Sequence, residues 1–298
     1  MGGSASAGDY HVGDTLACAE CHRNGFRISR QEINSICLSC HAGTNGEAPA
    51  VVGAAPAGVP RQAGALGGGL SHITGHTLGS AAQAPGGTWA PGRGGLTCSD
   101  CHAAHGELRQ YRNLRLRPGT AGTDRRITYS SGPVNDRTRD VWLKASAAVA
   151  ERYAARQVAF NQPDATKSAY GAWCQGCHTL RHGAAGSANM GGTLGGELGR
   201  GWLRHPTVGV GVGARGDRHS SFTRYASLSN RVPTLSPSGS WPHRDNAVSC
   251  MSCHKGHGNR NPFGLLYMSG QGQLTEEGDT GGGHYTHLCR QCHSQGLS

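Results

Sequence analysis

The chain is short of what an ordinary globular core is built from. Only 6% of its 298 residues are aromatic and 36% are hydrophobic, while 49 are glycine. Side chains alone would make a thin interior for this length, so something else must supply apolar bulk. No apolar run approaches the eighteen or so residues of a membrane span, which predicts a soluble or peripheral chain with no transmembrane segment. The first residues show no signal-peptide hydrophobic region, and Ala5-Ser6-Ala7 reads as a small-residue, flexible end. Regular periodicity is equally scarce. Residues 43–71 and 183–217 are rich in Gly, Pro and Ala and read as ordered loop or linker. One segment, from about Asp140 to Phe160, predicts a packing helix, because Trp142, Val149 and Tyr153 recur near helical spacing and Pro163 follows. Methionine is limited to Met1, Met190, Met251 and Met268, and lysine to Lys144, Lys167 and Lys255.

Cysteine, by contrast, is plentiful and occurs in a single arrangement. All 12 cysteines fall into six copies of C-x-x-C-H: Cys18 and Cys21 with His22, Cys37 and Cys40 with His41, Cys98 and Cys101 with His102, Cys174 and Cys177 with His178, Cys250 and Cys253 with His254, and Cys289 and Cys292 with His293. Two thiols three positions apart reach the two vinyl groups on one haem edge, and the next residue's imidazole then sits under the iron. The pattern therefore reads as covalent c-type haem attachment, six haems in all, with the six histidines as proximal ligands.

Three plainer readings of paired cysteines fit less well. Structural zinc ribbons need no histidine after each pair. Finding one after all six by accident is on the order of one in many millions at ordinary composition. A disulfide scaffold has the same difficulty and favours short chains. A thioredoxin-like redox pair needs one C-x-x-C at a helix start, not six. With roughly one haem per fifty residues, the porphyrins supply the missing apolar interior.

The formal charge of +10 would ordinarily raise nucleic acid or an anionic membrane as partners. Six haems bring about twelve propionate charges, which returns the holoprotein to near neutrality and removes the case for nucleic acid. Arginine suits bidentate carboxylate pairing, and Arg23, Arg181 and Arg290, close to the motifs, are candidate propionate partners. Gly211 to Gly216 formally matches a dinucleotide-binding G-x-G-x-x-G, but no βαβ unit surrounds it and the chain is glycine-rich throughout.

The sixth iron ligand decides what such haems do. Methionine is too scarce to serve six irons, whereas 17 histidines leave a surplus beyond the six proximal ones. His/His irons are six-coordinate, pass electrons, and have no open position for a substrate. Seven histidines are distal candidates: His105 and His257, three residues after a motif; His182, four after; His11 and His243, each seven before a first cysteine; and His76 and His205, beside turn formers. His72, His219, His284 and His287 read as surface residues. The third and fifth motifs share a longer pattern, C-x-x-C-H-x-x-H-G, ending at Gly106 and Gly258, and the six motifs arrive as three pairs, at 18–41, 98–178 and 250–293.

These residues, taken in order, resemble the OmcS-type extracellular hexahaem cytochromes, whose members stack into filaments. The likeness lies in Tyr10-His11 ahead of the first motif, Gly75-His76, the stretch Ala84 to Thr88, His105 after the third motif, Trp173-Cys174 with His182, Leu203-Arg204-His205-Pro206, and His257 after the fifth. It implies a multihaem cytochrome c fold: mostly irregular loops and a few short helices around a chain of stacked haems, with minimal sheet. It also implies residues 1–298 as a single hexahaem unit, all-histidine ligation, and a conductive homo-polymer or nanowire joined by haem-to-haem contact between protomers. Other redox proteins or extracellular acceptors would be its partners, at the cell surface or beyond. The chain departs from the family at Gly25, where a histidine three residues after the first haem-binding histidine would stand, and that puts the filament joint in question. Two other readings stand beside this one. A discrete periplasmic or outer-surface shuttle would carry the same motifs, and a multihaem oxyanion reductase would need one iron left open, often marked by an altered motif, whereas all six copies here end in histidine.

Overall fold

The computed structural model describes residues 11, 16–43, 51–52, 64, 66, 75–107, 110, 113–127, 152–154, 169–179, 193–194, 202–203, 211–214, 221–229, 231–232, 234–236, 242–259, 261–272, 274–275, 278–279 and 283–293. Most of them lie in loops. The helices are α1 (Cys18–Cys21), α2 (Arg30–His41), α3 (Cys98–Cys101), α4 (Ala169–Cys174), α5 (Phe222–Ser227), α6 (Cys250–Cys253) and α7 (Tyr285–Arg290). Every haem motif lies in one of them or begins at its end. Strands are two or three residues long: β1 (Arg152–Ala154), β2 (Thr193–Leu194), β3 (Trp202–Leu203), β4 (Thr234–Ser236), β5 (Leu274–Thr275) and β6 (Gly278–Asp279). They form three two-stranded pairs: β1 with β4 in parallel, and β2–β3 and β5–β6 antiparallel. Among the described residues no helix is long and apolar enough to cross a membrane.

Two sequence expectations are corrected here. Arg152–Ala154 falls inside the segment read as a helix but is a strand, with Tyr153 opposite Leu235 in the parallel pair with β4. Pairing with a distant strand outweighs a helical spacing carried by only three apolar residues; the rest of 140–160 lies outside the described residues. The stretch 183–217, read as loop, contains the β2–β3 pair, with Leu194 opposite Trp202.

The longest helix, α2, starts at a capping box that glycine-rich surroundings make necessary. The Ser29 amide and hydroxyl both donate to the Glu32 carboxylate, at 2.9 and 2.6 Å. The helix docks on α3 through charge and amides: Arg30 pairs with Asp100 at 2.6 Å, Asn34 donates to the Leu96 carbonyl at 3.1 Å, and the Cys98 amide donates back to Asn34 at 3.0 Å. The second and third motifs are thereby held side by side.

A small apolar core lies under the last two motifs. Val212, Tyr225, Val232, Leu266, Met268 and Leu288 are buried together, with Cys253 and Cys292 packed at its edge. Gln291, between the two cysteines of the sixth motif, is buried and ties that motif to the core: the Val232 amide donates to its Oε1 at 3.0 Å, and its Nε2 donates to the Met268 carbonyl at 2.9 Å. Gly211 and Val212, the start of the formal dinucleotide motif, instead pack here. The Val212 amide donates to the Asn246 carbonyl at 2.7 Å, and a Cβ on Gly211 would strike the Arg244 carbonyl. Beside the core, the buried Asp279 carboxylate accepts from the amides of Ser269, Gly270 and Gln271, which fixes the loop before β5.

Candidate haem-binding sites

Each motif is one helical turn, and the backbone explains how. The histidine amide donates to the carbonyl of the first cysteine in the first, third, fourth, fifth and sixth motifs, at 2.9 to 3.0 Å. In the second motif the turn is the end of α2. Residues i and i+3 share a helix face, so one turn presents both thiols on the same side with the imidazole just beyond. An isolated turn is costly to nucleate, and the third and fifth motifs offset this with capping boxes: the Thr97 amide donates to Asp100 at 2.8 Å and the Ser249 amide to Ser252 Oγ at 2.9 Å.

The sequence repeat at these two motifs is also a structural repeat. His102 and His254 leave their turns in nearly the same extended conformation, φ −117° and ψ 143° against φ −120° and ψ 145°. Each bridges a returning segment, at Leu114 and Leu265. Immediately after, a turn closes from the Gly106 amide to the Ala103 carbonyl, and from the Gly258 amide to the Lys255 carbonyl, at 2.8 and 3.1 Å. Gly106 and Gly258 take φ +76° and +109°, which only glycine adopts freely, so the final G of C-x-x-C-H-x-x-H-G is a backbone requirement. The trailing histidines, His105 and His257, are carried on these turns and reach away from their own motifs.

They reach other motifs' histidines. His105 lies over His22 with ring centres 6.0 Å apart and planes 22° from parallel, and His257 faces His102 at 6.1 Å. His11 faces His41 at 5.8 Å, and His76 faces His178 at 6.0 Å. Two imidazoles bound on opposite sides of one iron, with metal–nitrogen bonds of about 2.0 Å, have ring centres about 6.2 Å apart. The four observed separations fit that arrangement. In each pair one ring follows a C-x-x-C and the other does not.

Hydrogen bonds also set which ring nitrogen is free. His178 Nδ1 lies 2.8 Å from the Pro85 carbonyl, His254 Nδ1 2.8 Å from the Phe263 carbonyl, and His76 Nδ1 2.6 Å from the Gly256 carbonyl. A carbonyl can only accept, so these nitrogens carry the proton and Nε2 keeps its lone pair for a metal. Burial, with the neighbouring histidines next in weight, pushes the His257 pKa down to about 3 and lowers that of His11. Both imidazoles are therefore neutral at ordinary pH, the form that ligates iron.

Four of the cysteines are held as thiols by burial. Burial pushes Cys101, Cys177, Cys253 and Cys292 up to about 12. All twelve are free of disulfides, and no group of three or more His, Cys, Asp or Glu among the described residues could hold a metal ion by itself. Two thiols followed directly by an imidazole, repeated six times, suit attachment of one haem at each motif. The thiols also report the order of the motifs in space. Cys37 shares a hydrogen bond with Cys98, and Cys174 with Cys250, in each case holding the proton on the first-named sulfur. Cys21 feels Cys37 and Cys40, Cys101 feels Cys177, and Cys253 feels Cys292 and Cys289. Neighbouring motifs in the chain are thus neighbours in the fold, from first to sixth.

The other sequence candidates are placed as follows. His243 sits beside the Asp245 carboxylate at 2.8 Å, while His182, His205 and Arg181 lie outside the described residues, as do His72 and His219. His284 caps α7, its Nδ1 accepting from the Thr286 amide at 3.2 Å, and His287 lies 6.4 Å from it. Arg23 donates to the Glu20 carbonyl at 3.0 Å. Sequence reasoning missed the carbonyls of Pro85, Gly256 and Phe263. A backbone oxygen leaves no compositional trace, although the Pro85-Gly86 turn, with Gly86 at φ +63°, was open to being read as one.

No family model matches the chain, and no curated protein does. Among solved structures the chain is similar to the OmcS nanowires from Geobacter sulfurreducens, seen by cryo-EM, at 17% identity over 87% of this chain and 84% of that one, with a TM-score of 0.37. A likeness this distant carries no inference, and the reading of the sites rests on the motifs and the imidazole pairs.

Proposed function

We propose that this chain is a six-haem c-type cytochrome whose work is electron transfer outside the cytoplasm and not the conversion of a substrate. The observation that carries the reading is the set of four imidazole pairs at 5.8 to 6.1 Å, each joining a motif histidine to a second histidine. Haem, when bound, supplies one-electron Fe(III)/Fe(II) chemistry. The chain's own residues do the rest. Each pair of cysteines anchors one macrocycle, and His22 with His105, His41 with His11, His102 with His257, and His178 with His76 close four irons from both sides. His182, His205 and His243 are the candidates for the irons of His254 and His293. Those four irons, closed on both sides, would leave no site for an oxyanion, and a reductase would need one of the remaining two to be open. The sequential contacts among the motifs support residues 1–298 as one conducting unit in which electrons hop between adjacent haems.

Polymerisation into a conductive filament is the form of this reading that the order of motifs supports through its resemblance to OmcS-type cytochromes. Gly25 favours a second form, a discrete electron shuttle. It sits at φ +108° with open space around its Cα, at the position where that family carries a histidine. Electron microscopy of the purified holoprotein, with an absorption spectrum of the same sample, separates them. Filaments with a protomer-length repeat and low-spin haem spectra establish the conductor; compact particles with the same spectra establish the shuttle. A sample without covalently bound haem overturns both.

A further inference from the structure

Of the four imidazole pairs, that of the fourth motif differs in how its outer nitrogens are held. Both are hydrogen-bonded to backbone carbonyls: His178 Nδ1 to Pro85 at 2.8 Å and His76 Nδ1 to Gly256 at 2.6 Å. The other three pairs each include a ring whose buried Nδ1 makes no hydrogen bond of ordinary geometry: His22 in the first, and His11 and His257 in the second and third, where the backbone of Ala104 and of Gly64 bears on the ring without such a bond at Nδ1. An imidazole whose Nδ1–H is donated to a carbonyl gains anionic character and becomes a stronger donor at Nε2. Stronger axial donation favours Fe(III) over Fe(II), and second-shell hydrogen bonding is one of the levers by which a protein sets a haem potential.

Building on the ligand pairs of the proposed function, we propose that the haem of the fourth motif has a lower reduction potential than those of the first three, set by the carbonyls of Pro85 and Gly256 acting as positioning groups. The Gly256 carbonyl belongs to the same turn that carries His257, so one tripeptide, Lys255 to His257, presents an imidazole to the third motif's site and a carbonyl to the fourth's. A change of side chain at 257 leaves the Gly256 oxygen in the chain. The potential of the third haem is therefore separable from that of the fourth.

The test is a spectroelectrochemical titration of the holoprotein and of four variants, His76→Met, His11→Met, His105→Met and His257→Met. A thioether in place of an imidazole raises the potential of the haem it ligates, which identifies the wave belonging to each site. The expected result is that the wave moved by His76→Met starts below each wave moved by the other three. If it starts above any of them, the proposal is overturned; if none of the four variants moves a wave, the ligand pairs themselves are wrong. Should His76→Met fail to assemble, movement of the lowest wave of the native protein by any of the other three variants still overturns the proposal, because it would place the first, second or third haem below the fourth.

Discussion

His105 and His22 lie with ring centres 6.0 Å apart and planes within 22° of parallel, although one follows the third motif and the other belongs to the first. The relation repeats two motifs later, where His257 faces His102 at 6.1 Å. A histidine three residues after a motif thus serves the site two motifs earlier, and a histidine ahead of an odd-numbered motif, His11 or His76, serves the site of the even-numbered one that follows. The pairs interleave along the chain, and three of the four join residues far apart in sequence, so under the proposed ligation those sites assemble only as distant segments come together.

Replacing His105 by Met should raise the potential of one haem and leave the other five unchanged in a redox titration of the holoprotein. The carrier turn, held by Gly106 at φ +76°, does not depend on the imidazole. A titration curve identical to that of the native protein would remove His105 from the ligand set.

Interleaving predicts a structural penalty for losing an attachment. Cys98→Ser takes away one thioether of the third site, whose helix is docked on that of the second motif through Arg30 with Asp100 and Asn34 with the Cys98 amide. The apolar cluster under the last two motifs is small, and cofactor binding is expected to carry much of the folding free energy. The expected yield of folded protein falls sharply, with haem content below six per chain by pyridine haemochrome assay.

Gly119→Ala should impair the fourth site without touching a ligand. Gly119 adopts φ +57°, and a Cβ there would strike the Gly176 carbonyl and, at 2.5 Å, Cys177 Sγ. The added methyl displaces the thiol that anchors that haem. Mass spectrometry of the intact variant should show chains one haem short; full loading would contradict the crowding.

Tyr225→Phe isolates a core contribution. The Tyr225 ring is fully buried, and its hydroxyl lies 2.8 Å from Thr234 Oγ1, itself buried on β4. Removing the hydroxyl takes away that buried hydrogen bond, at a cost of about 0.5–1.5 kcal/mol. Thermal unfolding of the holoprotein should shift down while its haem spectrum at room temperature stays unchanged.

The one-turn geometry of the motifs was legible in the sequence, because C-x-x-C-H is a local pattern that spans a single helical turn. The short, stiff turn after the third and fifth motifs also favours presenting His105 and His257 to a neighbouring site over their own, and the rings do lie beside His22 and His102. Which site each would serve was not legible. That depends on contacts such as Arg30 with Asp100, which bring distant segments together through single side chains with no periodic signature. The strand at Arg152–Ala154 was hidden for the same reason, being defined by its partner Thr234–Ser236 and not by its own residues. The capping boxes at Thr97-x-x-Asp100 and Ser249-x-x-Ser252 were readable in principle, but the cysteine pattern overlaps them.

The account stands most directly on the ligation of the irons. Low-temperature electron paramagnetic resonance of the fully oxidised holoprotein, integrated per chain, measures it in one experiment. Paired imidazoles at every site predict low-spin ferric signals that sum to six irons per chain with no high-spin component. A high-spin fraction amounting to one iron or more would show an open site, and with it a chemistry that closed electron-transfer haems do not have.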